Sequence, residues 1–160
     1  MKSIVKAAIT LAVLVAVLSV VIAIVGLHRT NPMLAQVAFF VPVIVLNIGC
    51  VVWGLKGTAA MSGYVRQVGN GIVIGAIAGV LICGFSMLML TMLMPEYLDE
   101  MKQATIEWLQ AADIADETRE KQIAAVEGTT ATSQSLAGLF GTLATSLVAA
   151  LIAAIFLRRK

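Results

Sequence analysis

Four stretches of this chain, Ala7 to Leu27, Met33 to Leu55, Gly69 to Met94 and Leu136 to Leu157, contain no Asp, Glu, Lys or Arg. Each is at least 21 residues long, enough for a helix to cross a hydrocarbon core of about 30 Å at about 1.5 Å per residue. The runs are continuously apolar. A barrel strand would instead alternate apolar and polar over about 10 residues, so helices are the expected solution. Only 12% of the residues are charged, against about 25% in soluble domains. The fold class read from these runs is an all-α integral membrane protein with four transmembrane helices, forming one membrane domain over residues 1–160.

All nine acidic residues fall between Glu96 and Glu127. With three basic residues among them, segment 95–128 carries a net charge of −6, and the rest of the chain carries +8. A cytoplasmic N-terminus places Lys2, Lys6, Lys56, Arg66, Arg158, Arg159 and Lys160 on the cytoplasmic side. Only Arg29, Lys102, Arg119 and Lys121 then lie opposite. Lys and Arg bias sets orientation, so both termini are expected in the cytoplasm and the acidic segment outside. Lys2 and Lys6 ahead of an apolar run imitate a signal peptide. The run is too long for one, however, and no small-x-small site precedes "HRTNP", so an uncleaved anchor is expected.

Within the spans, polar and small residues carry the information. "LHRTNP" is a tight connection, with Pro32 suited to the first turn of the second long helix. That helix contains Pro42 and Asn47. Proline in mid-helix predicts a kink, and Asn47 predicts an interhelical hydrogen bond, with a substrate or ion contact as the alternative. In the third span Gly71, Gly75 and Gly79 recur every four residues and stack on one face. The fourth carries two adjacent small rows: Ala137, Gly141, Thr145, Ala149 and Ala153, beside Gly138, Thr142, Ser146, Ala150 and Ala154. Such ribbons let backbones approach closely, either helix on helix within the chain or between copies. Met87, Met89, Met92 and Met94 invite a copper(I) reading, but only Met89 and Met92 share a face, with no His or Cys beside them. Cys50 and Cys83 differ in expected depth by more than about 10 Å, so no disulfide partner is expected for either.

The acidic segment is amphipathic. Tyr97, Met101 and Trp108 recur on one face while Asp99, Glu100, Gln103 and Glu107 hold the other. Pro95 and the acidic first turn suit a helix start. The pattern breaks at "ADIAD", and Asp116 is the expected N-cap of a second short helix that carries a Glu117–Lys121 pair. Segment 95–128 thus reads as an extracytoplasmic helical hairpin, with Tyr97, Met101 and Trp108 as its docking face. Asp113, Asp116, Glu117 and Glu120 would cluster only on an unbroken helix, and no calcium-loop pattern is present, so no metal site is expected.

No ionisable side chain lies mid-span, which disfavours proton-coupled carriers, rotor subunits and voltage sensors. His28 is the one histidine, placed in the first connection without a nucleophile or acid nearby in sequence, and is expected to be solvent-exposed. "GNGIVIG" lies inside a span, out of the context a phosphate loop needs. No catalytic residue, cofactor or nucleic-acid partner is expected.

"GLKGTAAMSGYVRQVGNGIVIGAIAGVL", then "MPEYLDEM", then "DETREKQI" before a last helix ending in "LRRK", resembles a bacterial four-span membrane-protein family known only as domain of unknown function 4199. The matching positions are Gly54 to Lys56, Gly71 to Gly79, Pro95 to Met101 and Asp116 to Ile123. "EGTTATSQS" departs from the more apolar lead into the last helix that the family shows. The resemblance implies a bacterial inner-membrane location and four spans with an acidic hairpin before the last, but no activity. The function classes that remain are association, as a homo-oligomer or as an accessory subunit of a larger membrane complex, and a small channel or transporter with a pathway near Pro42 and Asn47. The partners expected are the lipid bilayer and other copies or membrane subunits.

Overall fold

The computed structural model describes residues 1–59 and 62–157; the basic tail 158–160, counted above in the charge bias, lies outside them. Every element among the described residues is helical: α1 (Lys2–Val25), α2 (Leu27–Thr30), α3 (Pro32–Lys56), α4 (Tyr64–Leu88), α5 (Glu96–Ala111), α6 (Asp116–Glu127) and α7 (Ala131–Leu157). A π-helical turn, Met89–Leu93, continues α4. Four of these helices, α1, α3, α4 with its π turn, and α7, are long and apolar enough to cross a membrane.

The helix ends follow from local chemistry. Gly26 ends α1 in the left-handed conformation at φ 70°, which a residue with a Cβ enters only with strain. Asn31 then caps α3 by accepting from the Leu34 N–H at 2.9 Å, with Pro32 in the first turn. α3 runs unbroken past Pro42, although proline supplies no N–H for the carbonyl of Ala38. At the start of α7, the Ser133 N–H donates to Thr130 Oγ1 at 3.1 Å and the Thr130 N–H to Ser133 Oγ at 2.8 Å. This is the reciprocal logic of a capping box, and it fixes the start of α7 within the polar "EGTTATSQS" stretch. Asp116 does not cap α6: it is the first helical residue, after Ala115, and pairs with Arg119.

The long helices alternate in direction along the chain and close a ring in the order α1, α3, α7, α4. α4 and α7 share the most extensive contact. Gly71 lies against Ala150, Gly75 against Ser146, and Gly79 against the Leu139 carbonyl, so the partner number falls as the α4 number rises and the pair is antiparallel. A Cβ on Gly71 would overlap that of Ala150, and one on Gly75 would stand 2.6 Å from Ser146 Cβ. Gly54 of α3 plays the same part where α1, α3 and α4 meet: its absent Cβ would lie 2.9 Å from Ala7 Cβ and 2.6 Å from Ile74 Cδ1.

The tightest core lies toward the chain termini. It joins Ala7, Ala8 and Leu11 of α1, Val51 and Leu55 of α3, Ile74 and Ala78 of α4, and Ala150 of α7, all fully buried. Large apolar side chains such as Val13, Val17, Phe40, Val45, Phe140 and Ile152 instead point outward and are about half exposed or more. The outer surface of the bundle is therefore greasy, the reverse of a water-soluble four-helix protein.

The two faces of α7 behave differently. Thr142, Ser146, Ala150 and Ala154 are buried, but Gly141 has nothing within 4 Å of where a Cβ would stand. Gly75→Leu is therefore expected to destabilise the bundle by at least about 1–3 kcal/mol through overpacking, while Gly141→Leu leaves stability nearly unchanged. Reversible unfolding in mixed detergent micelles separates the two, and equal losses would show that the α4–α7 contact is misplaced.

Candidate functional site

Three groups of polar side chains are drawn together. The first lies within the bundle, between α3 and α7. Asn47 is 1% exposed and Ser146 fully buried. The Asn47 Nδ2 donates to the Thr142 carbonyl at 3.3 Å, and Ser146 Oγ donates to Asn47 Oδ1 at 3.0 Å. Thr142 Oγ1 donates to the Gly138 carbonyl one turn back at 2.8 Å. Both ends of the Asn47 amide are therefore engaged by the neighbouring helix. Pro42, more than a turn away, is only partly buried.

The second group closes the termini end. Gln67, fully buried at the base of α4, donates to the Leu55 carbonyl at 3.4 Å and accepts from Thr58 Oγ1 at 3.2 Å. Asn70 Nδ2 donates to Thr58 Oγ1 at 3.2 Å. These bonds explain why α4 begins at Tyr64, five residues before the uncharged run. A buried glutamine that donates to the Leu55 carbonyl at the end of α3 stitches the two helices together.

The third group lies at the other end, and local sequence gives little sign of it. The connection after α1 folds into the single turn α2, which turns His28 inward to 2% exposure; the histidine is not solvent-exposed. Its ring meets Tyr97 of α5 at a centroid distance of 4.4 Å. Its Nε2 lies 3.1 Å from Glu100 Oε2, and its buried Nδ1 has no hydrogen-bond partner. Arg29 grips the same carboxylate with two bonds, Nε to Oε2 at 2.8 Å and Nη2 to Oε1 at 2.7 Å, the forked geometry that gives arginine its specificity for carboxylates. The Arg29 guanidinium, and after it His28, hold the Glu100 carboxyl below the usual carboxylate range, outweighing desolvation. Burial pushes the Tyr97 phenol up.

The other sequence-derived positions are dispersed. Gly71, Gly75 and Gly79 of α4 pack against α7; Gly138 has Ile82 at 3.9 Å from a Cβ position; and Ala149 is buried. Thr145 Oγ1 donates to the carbonyl of Gly141 on its own helix. Tyr97 is engaged with His28, Met101 is half-buried, and Trp108 is 44% exposed beside a shallow cleft of about 230 Å³ that it lines with Arg29, Thr30, Asn31 and Pro32. The three residues of the proposed docking face thus have three different surroundings. Among the described residues no three His, Cys, Asp or Glu side chains gather as a metal site. Met89 is buried and Met92 is 74% exposed, so even that pair does not converge.

Asn47→Leu removes two interhelical bonds and leaves Ser146 Oγ without its acceptor. Hydrogen bonds of this kind in membranes contribute about 0.6 kcal/mol on average and up to about 1.7. The expected loss lies toward the upper figure, measured by unfolding in micelles, and Ser146→Ala in the Asn47→Leu background should add almost nothing. Additive losses would mean that the two side chains act independently.

No curated protein and no solved structure matches the chain. The model of the family described as "Protein of unknown function (DUF4199)" matches residues 6–159. That match spans all the long helices together with α5 and α6, and with it the chain belongs to this family of proteins of unknown function.

Proposed function

We propose that this protein is a non-catalytic, multi-pass protein of a bacterial plasma membrane that works by helix association, as a homo-oligomer or as an accessory subunit of a larger membrane complex. Both termini lie in the cytoplasm, and α5 and α6 form an acidic helical hairpin on the outer side. The observation that carries this reading is the state of the bundle's polar groups. Asn47, Thr142 and Ser146, and likewise Thr58, Gln67 and Asn70, are bonded to neighbouring helices, which suits packing and leaves little with which to bind a substrate or move a proton. The engaged Asn47 amide also counts against a conduction pathway at that level.

The outward surface of α7 around Gly141 supports association. Phe140 and Val148 are exposed around Gly141, where the helix backbone itself is accessible. A small residue flanked by apolar ones is the kind of surface on which helices in lipid meet closely. Gly141→Leu is expected to change the mass of the assembly in gentle detergent while the fold survives. Extraction from native membrane then separates the two forms of the reading: one chain in multiples means a homo-oligomer, and additional chains mean a complex. A monomer under both conditions, with Gly141→Leu indistinguishable from the parent, would sink the proposal.

A further inference from the structure

The unit formed by α5 and α6 is joined to the bundle differently from every other element. At its start the helical ladder gives way twice. The Met94 N–H reaches back five residues to the Met89 carbonyl at 2.8 Å, and Met94 then leaves helical conformation at φ −142°, ψ 67°. Pro95 follows, with no N–H to carry a ladder onward. At its end, Gly128 to Thr130 separate α6 from α7. Sideways, α6 buries no residue at all, and α5 buries only Leu98 and Leu109.

The charged contacts are equally sparse. Among the described residues, the ion pairs between different elements all involve Glu100, with Arg29 and His28; the others are turns within α6. Internally the unit is coherent, because Arg119 donates to the carbonyls of Leu109, Ala112 and Ile114, and Lys102 to that of Glu127. It is a stiff body on a jointed arm with one directional fastening.

We propose that α5 and α6 are a hinged strap that swings about the Met89–Leu93 turn, and that Glu100, held by Arg29 and His28, is the latch that keeps it closed over the connection between α1 and α3. The groups facing the latch are few. α2 contributes His28 and Arg29, and α5 contributes Tyr97 and, across a shallow cleft shared with Arg29, Glu107. α3 brings no charge until Lys56 at its far end, and the basic residues of α6 are bonded within the unit.

Glu100 has a carboxyl held below its ordinary value in the closed form. The fastening is therefore complete above the ordinary carboxylate range and is lost as pH falls through the lowered value. His28 meets the same carboxylate through Nε2, 3.1 Å from Glu100 Oε2.

Trp108 reports the position of the strap, since it walls the cleft against Arg29 to Pro32 and the chain has only one other tryptophan, Trp53. In the full chain reconstituted in liposomes, with Trp53→Phe, iodide quenching of Trp108 is expected to be partial and flat from neutral to mildly acid pH, rising below the ordinary carboxylate range. Glu100→Gln should show the raised quenching at neutral pH and no pH dependence, with helix content and the unfolding midpoint of the bundle retained. Arg29→Glu combined with Glu100→Arg should recover the parent's partial quenching, which neither single reversal shows. Glu100→Gln that quenches like the parent at every pH overturns the latch. So does loss of the whole bundle in that variant, or a double reversal no better than the singles.

Discussion

The approach of α4 to α7 sets the rest of the architecture. Gly71 and Gly75 remove side chains at the crossing, so the backbone of α4 lies against Ala150 and Ser146. Between helices surrounded by lipid, apolar side chains gain little by leaving hydrocarbon for one another. Stability then comes from close packing and from polar groups with no better partner. Both are concentrated on α7: its Thr142 and Ser146 face Asn47 of α3 while the same stretch seats the glycines of α4. Shift α7 by one residue, and both the glycine contacts and the Asn47 bonds are lost together. That shared register is what makes α7 the central helix of the ring and leaves α1 to close it through alanines.

Much of this was legible in the sequence because the signals are local. An uncharged run longer than 20 residues leaves few structural choices, and glycine every fourth residue can only stack on one helix face. Gly54 was harder to read: a single glycine near a helix end looks like a boundary signal, and the reason for it is supplied by Ala7 and Ile74. The two small rows of α7 were equal as patterns, and only the positions of α3 and α4 decide that Thr142 and Ser146 turn inward while Gly141 of the other row faces outward, its Ala149 and Ala153 being buried.

The cluster at the opposite end shows where local reading stops. His28 and Glu100 stand 72 residues apart, each ordinary in its own neighbourhood: a histidine in a short polar connection, and one acid among nine. The available signal was electrostatic. "HR" is the basic portion of the first connection, it emerges at the same end as an acidic segment, and two opposite charges brought to one end of a small bundle have little room to avoid each other. Nothing in the periodicity chooses Glu100 over Asp99 or Glu107. That choice rests on the direction in which α5 leaves the Met94–Pro95 break, since the break angle fixes which face of α5 turns toward α2.

These two ends also differ in how they could respond to force or to a partner. At the termini end, Gln67, Thr58 and Asn70 bond helices α3 and α4 with neutral groups around a fully buried Gln67; such bonds are short-ranged and insensitive to pH or salt. At the other end the fastening is an ion pair with Arg29 63% and Glu100 30% exposed, screened by salt and open to competition. A protein built to be uniformly rigid would gain by placing neutral bonds at both ends. With a firm neutral clamp below and a sparse ionic one above a jointed arm, movement is confined to α5 and α6, and the bundle that carries them can stay assembled while they move.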